Sequence, residues 1–177
     1  MVSIPAVVTL TPSPAFDRTY ILESLVPGEV HRAREVRSEL AGKGVNVTHN
    51  LRIAGVPSVA VLPMKQEEAS IYGHDQIRVY PVEAGTRINI TVLDNAGQTT
   101  KINEVASPLS SNQWSGLCEM ALDLAQESSD TWLLLAGTIP RDPSGNSLAV
   151  ATLFERARDR GVHIGLDSSG PALLELA

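Results

Sequence analysis

The fold is decided by residues 32–57, which read RAREVRSELAGKGVNVTHNLRIAGVP. Residues 32–40 mix polar and apolar side chains, which is typical of a strand with one face in water. Residues 44–54 have the apolar spacing of a helix, and Gly55 and Pro57 follow them as helix-ending residues. The chain therefore turns from a half-exposed strand almost directly into a helix.

The connection between that strand and that helix is rich in glycine. Gly42 and Gly44 let the backbone approach a ligand closely, and the helix N-terminus offers free N–H groups. Asn46, in the first turn, can direct its side-chain amide the same way. Two interpretations remain open from the residues alone: a ligand-binding loop, or a glycine-rich turn that carries a solvated Lys43.

The remaining segments predict two different kinds of strand. Apolar runs that alternate with helices predict a mostly parallel α/β sheet; these runs are 6–10, 58–62, 132–136 and 162–167, and the helices lie around Cys118 and over residues 148–160. Half-polar, alternating strands cannot be buried on both faces, so they predict a separate small antiparallel sheet. These strands are expected near residues 18–22, 32–40, 86–93 and 99–105.

Composition excludes several classes of protein. The chain has 177 residues, of which 43% are hydrophobic and 19% charged, as in one globular domain. Its net charge of -6 and the lack of a basic stripe argue against a nucleic-acid partner. No stretch approaches 18 apolar residues and the start, MVSIPAVVTL, lacks the features of a signal peptide, so we expect no membrane span and a cytoplasmic location.

The chain has one cysteine, Cys118, so an internal disulfide or a zinc site built from cysteines is excluded. Cys118 falls on the apolar face of its predicted helix. Core packing is therefore the favoured interpretation, and a reactive thiol is the alternative.

Several polar residues suggest a ligand site. Asp17 follows the first strand, where open α/β sheets bind ligands, although it also fits an ordinary turn. Arg32 and Arg87 flank half-exposed strands, and a guanidinium group matches phosphate oxygens. Arg34 and Arg37 are interpreted as surface charges.

Two further segments combine polar residues with strand ends. Gly137 and Thr138 directly follow the apolar run 132–136, where a glycine suits close backbone approach. Asn103 and Glu104 end the predicted hairpin and form a weaker candidate.

The order of these motifs resembles that of a known family. Residues 9–20, TLTPSPAFDRTY, resemble the opening of 1-phosphofructokinases and their tagatose-6-phosphate kinase relatives, and residues 42–47, GKGVNV, resemble the family signature Gly-Gly-Lys-Gly-x-Asn-Val. Residues 85–89, 101–104, 136–140 and 167–170 match later motifs in the same order. The chain is thus similar, over nearly its whole length, to the N-terminal portion of ribokinase/PfkB-family sugar kinases. Ala41 and Ser13 depart from the usual Gly and Asn.

The resemblance implies a ribokinase-like α/β fold, in which a small β-sheet forms a lid over the sugar site and lids often pair to make dimers. It implies transfer of the γ-phosphoryl group of ATP, with Mg²⁺, to a sugar phosphate. Fructose 1-phosphate, giving fructose 1,6-bisphosphate, is the first expected substrate. Tagatose 6-phosphate and fructose 6-phosphate, the substrate of a 6-phosphofructokinase, are the alternatives.

The resemblance also implies roles for particular residues. Asp17, Asn46 and the backbone at Gly42 and Gly44 would hold sugar hydroxyls. The substrate phosphate would be contacted by Arg32 and Arg87, with help from Lys43. Thr138 would lie in the substrate-side loop, and Asn103 and Glu104 complete the expected substrate-binding set. No residue is assigned to a metal.

The family's catalytic Asp lies in a Gly-Ala-Gly-Asp motif that the chain lacks, so we expect it beyond residue 177 and expect the fragment itself to be inactive. The segment 63–76 also looks shorter than its family counterpart. A non-catalytic sugar-phosphate-binding or dimerisation fragment is the alternative from another class. A dinucleotide-binding protein is disfavoured, because no Gly-x-Gly-x-x-Gly follows the first strand.

Overall fold

The computed structural model describes residues 5–72 and 75–169. Its larger sheet contains β1 (Val7–Leu10), β4 (Ser58–Met64), β5 (Ile77–Pro81), β8 (Trp132–Ala136) and β9 (His163–Asp167). All neighbouring pairs are parallel, and the strand order is β5-β4-β1-β8-β9. The predicted parallel α/β sheet is confirmed, and its carboxyl edge gathers the loops that follow each strand.

Helices cover both faces of this sheet. They are α1 (Lys43–Ile53), α2 (Gln66–Tyr72), α3 (Ser111–Ala125) and α4 (Val150–Asp159). Val8 and Leu10 of β1 are fully buried in one core cluster with Leu117 of α3 and Leu153 of α4. Because side chains alternate along a strand, Thr9 points to the opposite face, where it contacts α1. The helices α1 and α3 therefore lie on opposite faces of the central strand.

The smaller sheet, called the lid sheet below, contains β2 (Ala15–Ile21), β3 (Glu35–Ala41), β6 (Arg87–Leu93) and β7 (Thr99–Asn103) in the order β3-β2-β6-β7. The outer pairs are antiparallel, but the central pair β2/β6 is parallel. The prediction of an antiparallel sheet is wrong for that pair. The reason is topological. β2 follows β1 and β6 follows β5, and because β1 and β5 are parallel, both connections leave the same edge of the larger sheet and enter the lid sheet in the same direction.

Two lid strands begin elsewhere than the sequence predicted. β2 already begins at Ala15, because Phe16 pairs with Leu40 and Ile88 and packs its ring 4.4 Å from that of Tyr72. β3 begins only at Glu35. The loop before it is held by a bond from the Val26 N–H to the His31 ring, 3.0 Å.

The strand β5 was not predicted. It has only five residues, IRVYP, of mixed polarity, and it lies at the edge of the larger sheet beside β4. Such a short segment has no clear period. None of the helices within residues 5–72 and 75–169 is long and apolar enough to cross a membrane.

Candidate functional site

The glycine-rich connection lies against the loop that follows β1. Gly42 precedes the first residue of α1 with φ +141°, and a Cβ placed there would lie 2.8 Å from Thr11 Cγ2. A Cβ on Gly44 would lie only 2.3 Å from Thr11 Oγ1. Both glycines are therefore required by the packing of α1 onto the Thr11 loop, whatever ligand the loop also binds.

Buried hydroxyl groups fix α1 to the sheet. Thr9 Oγ1 donates to the Gly44 carbonyl over 2.9 Å and lies 2.8 Å from Thr48 Oγ1. Ser58 Oγ donates to the Thr48 carbonyl over 3.0 Å. Thr9, Thr48 and Ser58 are all buried, so the first turns of α1 are held in a defined position at the carboxyl edge of the sheet.

Asp17 lies within β2, in the lid sheet, and not at the end of the parallel strand where the sequence placed it. Strand β2 begins at Ala15 because Phe16 pairs with both neighbouring strands and packs against Tyr72, and it therefore includes Asp17. In the sheet register Asp17 pairs with Asn89, whose Nδ2 donates to Asp17 Oδ1 over 2.9 Å. Asp17 and Asn46 line the same cleft of about 200 Å³, together with Glu39 and His49. The structure thus brings together two of the residues predicted to hold sugar hydroxyls.

Arg87 points into the loop between β1 and β2. Its Nη1 donates to the Glu104 carbonyl over 3.2 Å, and its Nη2 donates to the Ser13 carbonyl over 3.4 Å. Ser13 and Arg87 also line a narrow cavity of about 20 Å³, which is room for about one water molecule. Arg87 therefore joins the end of β7 to the loop after β1.

Glu104, the second residue predicted at the end of the hairpin, forms hydrogen bonds within the lid sheet. Its Oε2 accepts a hydrogen bond from the Ile88 N–H over 2.7 Å, and its own N–H donates to the Ile88 carbonyl over 3.1 Å. Asn103 pairs with Asn89 in the register of the lid sheet. Glu104 therefore continues the β6/β7 pairing beyond the last residue of β7.

Lys43 is paired with the far end of the described chain. Its Nζ donates to Asp167 Oδ1 over 3.0 Å. Gly137, with φ +105°, lies beside it, and its N–H donates to the Asp167 carbonyl over 2.8 Å. Thr138 is exposed in the same loop. The motif 167–170 is described only as far as Ser169, so its Gly170 lies outside the described residues.

Arg32 is not brought to the cleft. It is exposed in the loop before β3, and it is not among the residues that line the cleft around Asp17. Arg34 Nη2 donates to Asn95 Oδ1 over 2.6 Å, and Arg37 Nε donates to Glu35 Oε1 over 2.6 Å. The bond to Arg37 lowers the pKa of Glu35, and both side chains are exposed.

Sequence reasoning missed three polar residues of this region, namely Thr11, Ser13 and Asn89. In the part of the chain that the structure describes, Thr11 Oγ1, Ser13 Oγ, Arg87 Nε and Asn89 Oδ1 are buried side-chain atoms without a hydrogen-bond partner. Buried polar atoms usually have one. All four lie on the β1–β2 loop or at the start of β6, so this region is where we expect ligand atoms or ordered water. Thr11, Ser13 and Asn89 fall within the motifs at residues 9–20 and 85–89, but nothing in the sequence indicated that their side chains would be buried.

Residues that would hold a metal ion were not found in this region. Over the described ranges, no group of three or more His, Cys, Asp or Glu side chains is placed to bind one.

Comparison with known proteins agrees with this architecture. The chain is 29% identical, over an alignment of 178 residues, to the 1-phosphofructokinase of Xanthomonas campestris pv. campestris, covering 94% of this chain and 54% of that protein. The crystal structure of Escherichia coli phosphofructokinase-2 in complex with fructose 6-phosphate matches with a TM-score of 0.82 and 25% identity, over 98% of this chain and 57% of that one. The tetrameric inhibited form of the same enzyme gives a TM-score of 0.80 at 21% identity, over 97% and 57%.

No protein-family model matches the chain. The chain spans about half the length of the curated relative and of both solved structures. Within that span, both the sequence and the two-sheet architecture agree with the expectation drawn from the motifs. The chain is similar, over nearly its whole length, to the N-terminal portion of ribokinase/PfkB-family sugar kinases.

Proposed function

We propose that this chain forms the sugar-phosphate-binding portion of a cytoplasmic kinase that transfers the γ-phosphoryl group of ATP to a sugar phosphate. Fructose 1-phosphate is the first candidate substrate, with fructose 1,6-bisphosphate as its product. Tagatose 6-phosphate and fructose 6-phosphate are the alternatives to be tested beside it.

One observation carries the proposal: the fold brings Asp17 of the lid sheet and Asn46 of α1 to one cleft. A carboxylate accepts and an amide both donates and accepts, so together they match the hydroxyl groups of a sugar. The bond from Asn89 holds the Asp17 carboxylate in one orientation, and the buried bonds of Thr9 hold α1. Both groups are thus presented on rigid elements, which lowers the entropy lost on binding.

The phosphate end of the ligand would be held by positive groups near this cleft. Arg87 has a buried Nε without a partner in the described chain, and Lys43 stands at the N-terminus of α1. Helix N-termini and guanidinium groups both favour phosphate. These local charges would offset the net charge of -6, which repels an anionic substrate at long range.

ATP and Mg²⁺ belong to the proposed reaction, but we assign no described residue to either. The described side chains form no metal-binding group, and the proposal therefore concerns sugar-phosphate binding by this chain and the orientation of the accepting hydroxyl.

We further propose a homodimer formed through the lid sheet. On the face of the lid opposite to Asp17, the outer strands carry Val36 and Ile102, which are 52% and 58% exposed, and the same face also carries Arg18 and Ser38. In the sheet register they pair with Tyr20 and Ile90, whose side chains therefore lie on the same face. Exposed apolar side chains grouped on one face, with polar residues among them, are a common feature of interfaces.

Two measurements test the proposed function. Calorimetric titration with fructose 1-phosphate, fructose 6-phosphate and tagatose 6-phosphate should show binding, and unphosphorylated fructose should bind more weakly. ADP release from Mg-ATP with each sugar phosphate then tests turnover. Binding without turnover by the 177-residue chain would support a binding fragment, and no binding of any sugar phosphate would refute the proposal.

A further inference from the structure

The N-terminus of α1 carries a cation where a helix favours an anion. Helix α1 begins at Lys43, has no acidic residue in its first turn, and is preceded by Gly42, which offers no side-chain cap. The first-turn N–H groups lack partners within the helix and carry partial positive charge. Lys43 adds to that charge, so this end of the helix is stabilised by an anion supplied from elsewhere.

Asp167, at the end of β9, supplies that anion. It lies 3.0 Å from Lys43 Nζ, and the two side chains are 53% and 54% exposed. Its backbone is held in place, because its carbonyl accepts from the Gly137 N–H over 2.8 Å. Ser168 Oγ donates to the Gly137 carbonyl over 2.9 Å, which ties the ends of β8 and β9 together.

The loop between β1 and β2 gives a second, independent observation at this helix end. Thr11 is 1% exposed, and its Oγ1 has no hydrogen-bond partner in the described chain. This oxygen lies against Gly44, 2.3 Å from the position a Cβ would take. This buried hydroxyl at the first turn of α1 is therefore available to a further polar partner.

We propose that Asp167 is a resident anion that competes with the phosphate group of the ligand for Lys43 and the N-terminus of α1. This inference rests on the proposed function, because it concerns how the same site takes up its phosphate. The half-exposed ion pair is weak enough to be exchanged. A phosphate carries more charge and more acceptor oxygens than a carboxylate, so it displaces Asp167 and turns Lys43 towards the ligand.

The test is calorimetric titration of the 177-residue chain with fructose 1-phosphate and, separately, with inorganic phosphate at low ionic strength. Asp167→Asn should bind both ligands about two- to fivefold more tightly, since an exposed ion pair is worth up to about 1 kcal/mol and 1.4 kcal/mol is tenfold. Lys43→Met should bind more weakly, and in a Lys43→Met background Asp167→Asn should bring no gain. The gain should shrink as salt rises, because exposed charges are screened.

Asp130→Asn is the matched control. Asp130 is exposed just before β8, at the opposite edge of the larger sheet. The substitution therefore removes the same charge far from α1 and should leave both affinities unchanged. Thermal unfolding would show that each variant is folded, and Asp167→Ser is a second variant should the asparagine disturb the turn.

The outcomes separate this inference from the proposed function. If the unsubstituted chain binds sugar phosphate and Asp167→Asn binds it equally well or more weakly, Asp167 is a structural or supporting group and the competition is refuted. If neither protein binds any sugar phosphate, the proposed function fails and the inference fails with it. If the ion pair between Lys43 and Asp167 is purely structural, Asp167→Asn should lower the melting temperature without raising the affinity for either ligand.

Discussion

Asn89 donates a hydrogen bond from its side-chain amide to the carboxylate of Asp17, over 2.9 Å, between the two central strands of the lid sheet. The register of β2 and β6 places the two residues directly opposite each other. The bond engages Oδ1 of Asp17 and fixes the orientation of the whole carboxylate. We therefore expect Oδ2 to be the oxygen that accepts a ligand hydroxyl in the neighbouring cleft.

The first prediction concerns that carboxylate. Asp17→Asn should weaken the binding of fructose 1-phosphate by about 10- to 100-fold, because a hydrogen bond to a charged group is worth about 1.5–3 kcal/mol. Calorimetric titration measures the change. Asp94→Asn, in the turn between β6 and β7, carries the same substitution away from the cleft and should bind like the unsubstituted chain. Equal affinities for Asp17→Asn and the unsubstituted chain would exclude Asp17 from the site.

The second prediction separates the two roles of Arg87. Arg87→Lys keeps the charge but loses the planar fork that reaches the carbonyls of Glu104 and Ser13. We expect the free energy of unfolding to fall by about 1–2 kcal/mol, and sugar-phosphate binding to weaken as well. Urea unfolding measures the first effect and calorimetry the second.

The matched control for Arg87 is Arg37→Lys, since Arg37 is exposed on β3 and pairs only with its neighbour Glu35 in the contacts described above. An exposed pair contributes little, so this variant should change neither quantity. A loss of stability in Arg87→Lys without any loss of affinity would make Arg87 a structural clamp of the lid.

The larger sheet could be read from the sequence because its signal is local. An apolar run such as Trp132–Ala136 indicates a strand of the larger sheet within five residues, and the alternation of Arg87–Leu93 indicates a strand of the lid sheet in the same way. The sequence of β5, IRVYP, shows neither an apolar run nor an alternation, and the segment forms a strand by pairing with β4. The direction of β2 relative to β6 depends on which edge of the larger sheet each one leaves, which no short window contains.

The sequence allowed us to select several residues of the candidate site, but not to predict which hydrogen bonds and ion pairs they form. The residues Asp17 and Asn46 were singled out by their loops, and the structure does place both in one cleft. The bond from Asn89 to Asp17 and the pair between Lys43 and Asp167 join residues far apart in sequence, so they follow from the register of strands and the meeting of strand ends. Arg32 was selected for its guanidinium group, its place beside a predicted strand and the family resemblance, and the loop before β3 leaves it exposed.

The third prediction tests the packing of the glycine-rich connection. Gly44→Ala should lower the free energy of unfolding by about 1–3 kcal/mol, because its Cβ would lie 2.3 Å from Thr11 Oγ1 and 3.1 Å from Thr9 Cβ. Thr11→Ala removes the nearer atom, so the double variant should recover part of that loss in a double-mutant cycle by urea unfolding. Gly165→Ala is the control, since its Cβ would meet Leu134 at an ordinary 3.5 Å. Additive losses in the cycle would show that Thr11 does not restrict this position.

The fourth prediction concerns the apolar face of the lid sheet. Ile102→Lys replaces an exposed apolar side chain beside Ile90 with a charge, and should shift the protein from dimer to monomer in sedimentation equilibrium. Val105→Lys is the control, because Val105 is 90% exposed beyond the end of β7. An unsubstituted chain that is already monomeric, or an Ile102→Lys variant of unchanged mass, would contradict the lid-mediated dimer.

The fifth prediction concerns the buried thiol of Cys118. Burial raises the pKa of Cys118 from its ordinary value of 9.0 to about 12, and Arg156 lowers it only slightly. The thiolate is the reactive form, so the native protein should not react with a thiol reagent at pH 8, although a cleft of about 200 Å³ between α3 and α4 lies beside this residue. In urea the reagent should titrate one thiol per chain, since the sequence has one cysteine.

The same shift sets the sign of a pH effect on stability. Between about pH 9 and pH 12 the unfolded chain has lost the Cys118 proton while the folded chain still holds it, so the unfolded state is favoured as the pH rises. Stability contributed by this group should be fully present below pH 9 and should decline above it. Cys118→Ala lacks the group, and its stability should fall less steeply over that range in urea unfolding at each pH. Identical pH profiles for the two proteins, or rapid labelling of the native thiol, would show that Cys118 is not buried in an apolar core.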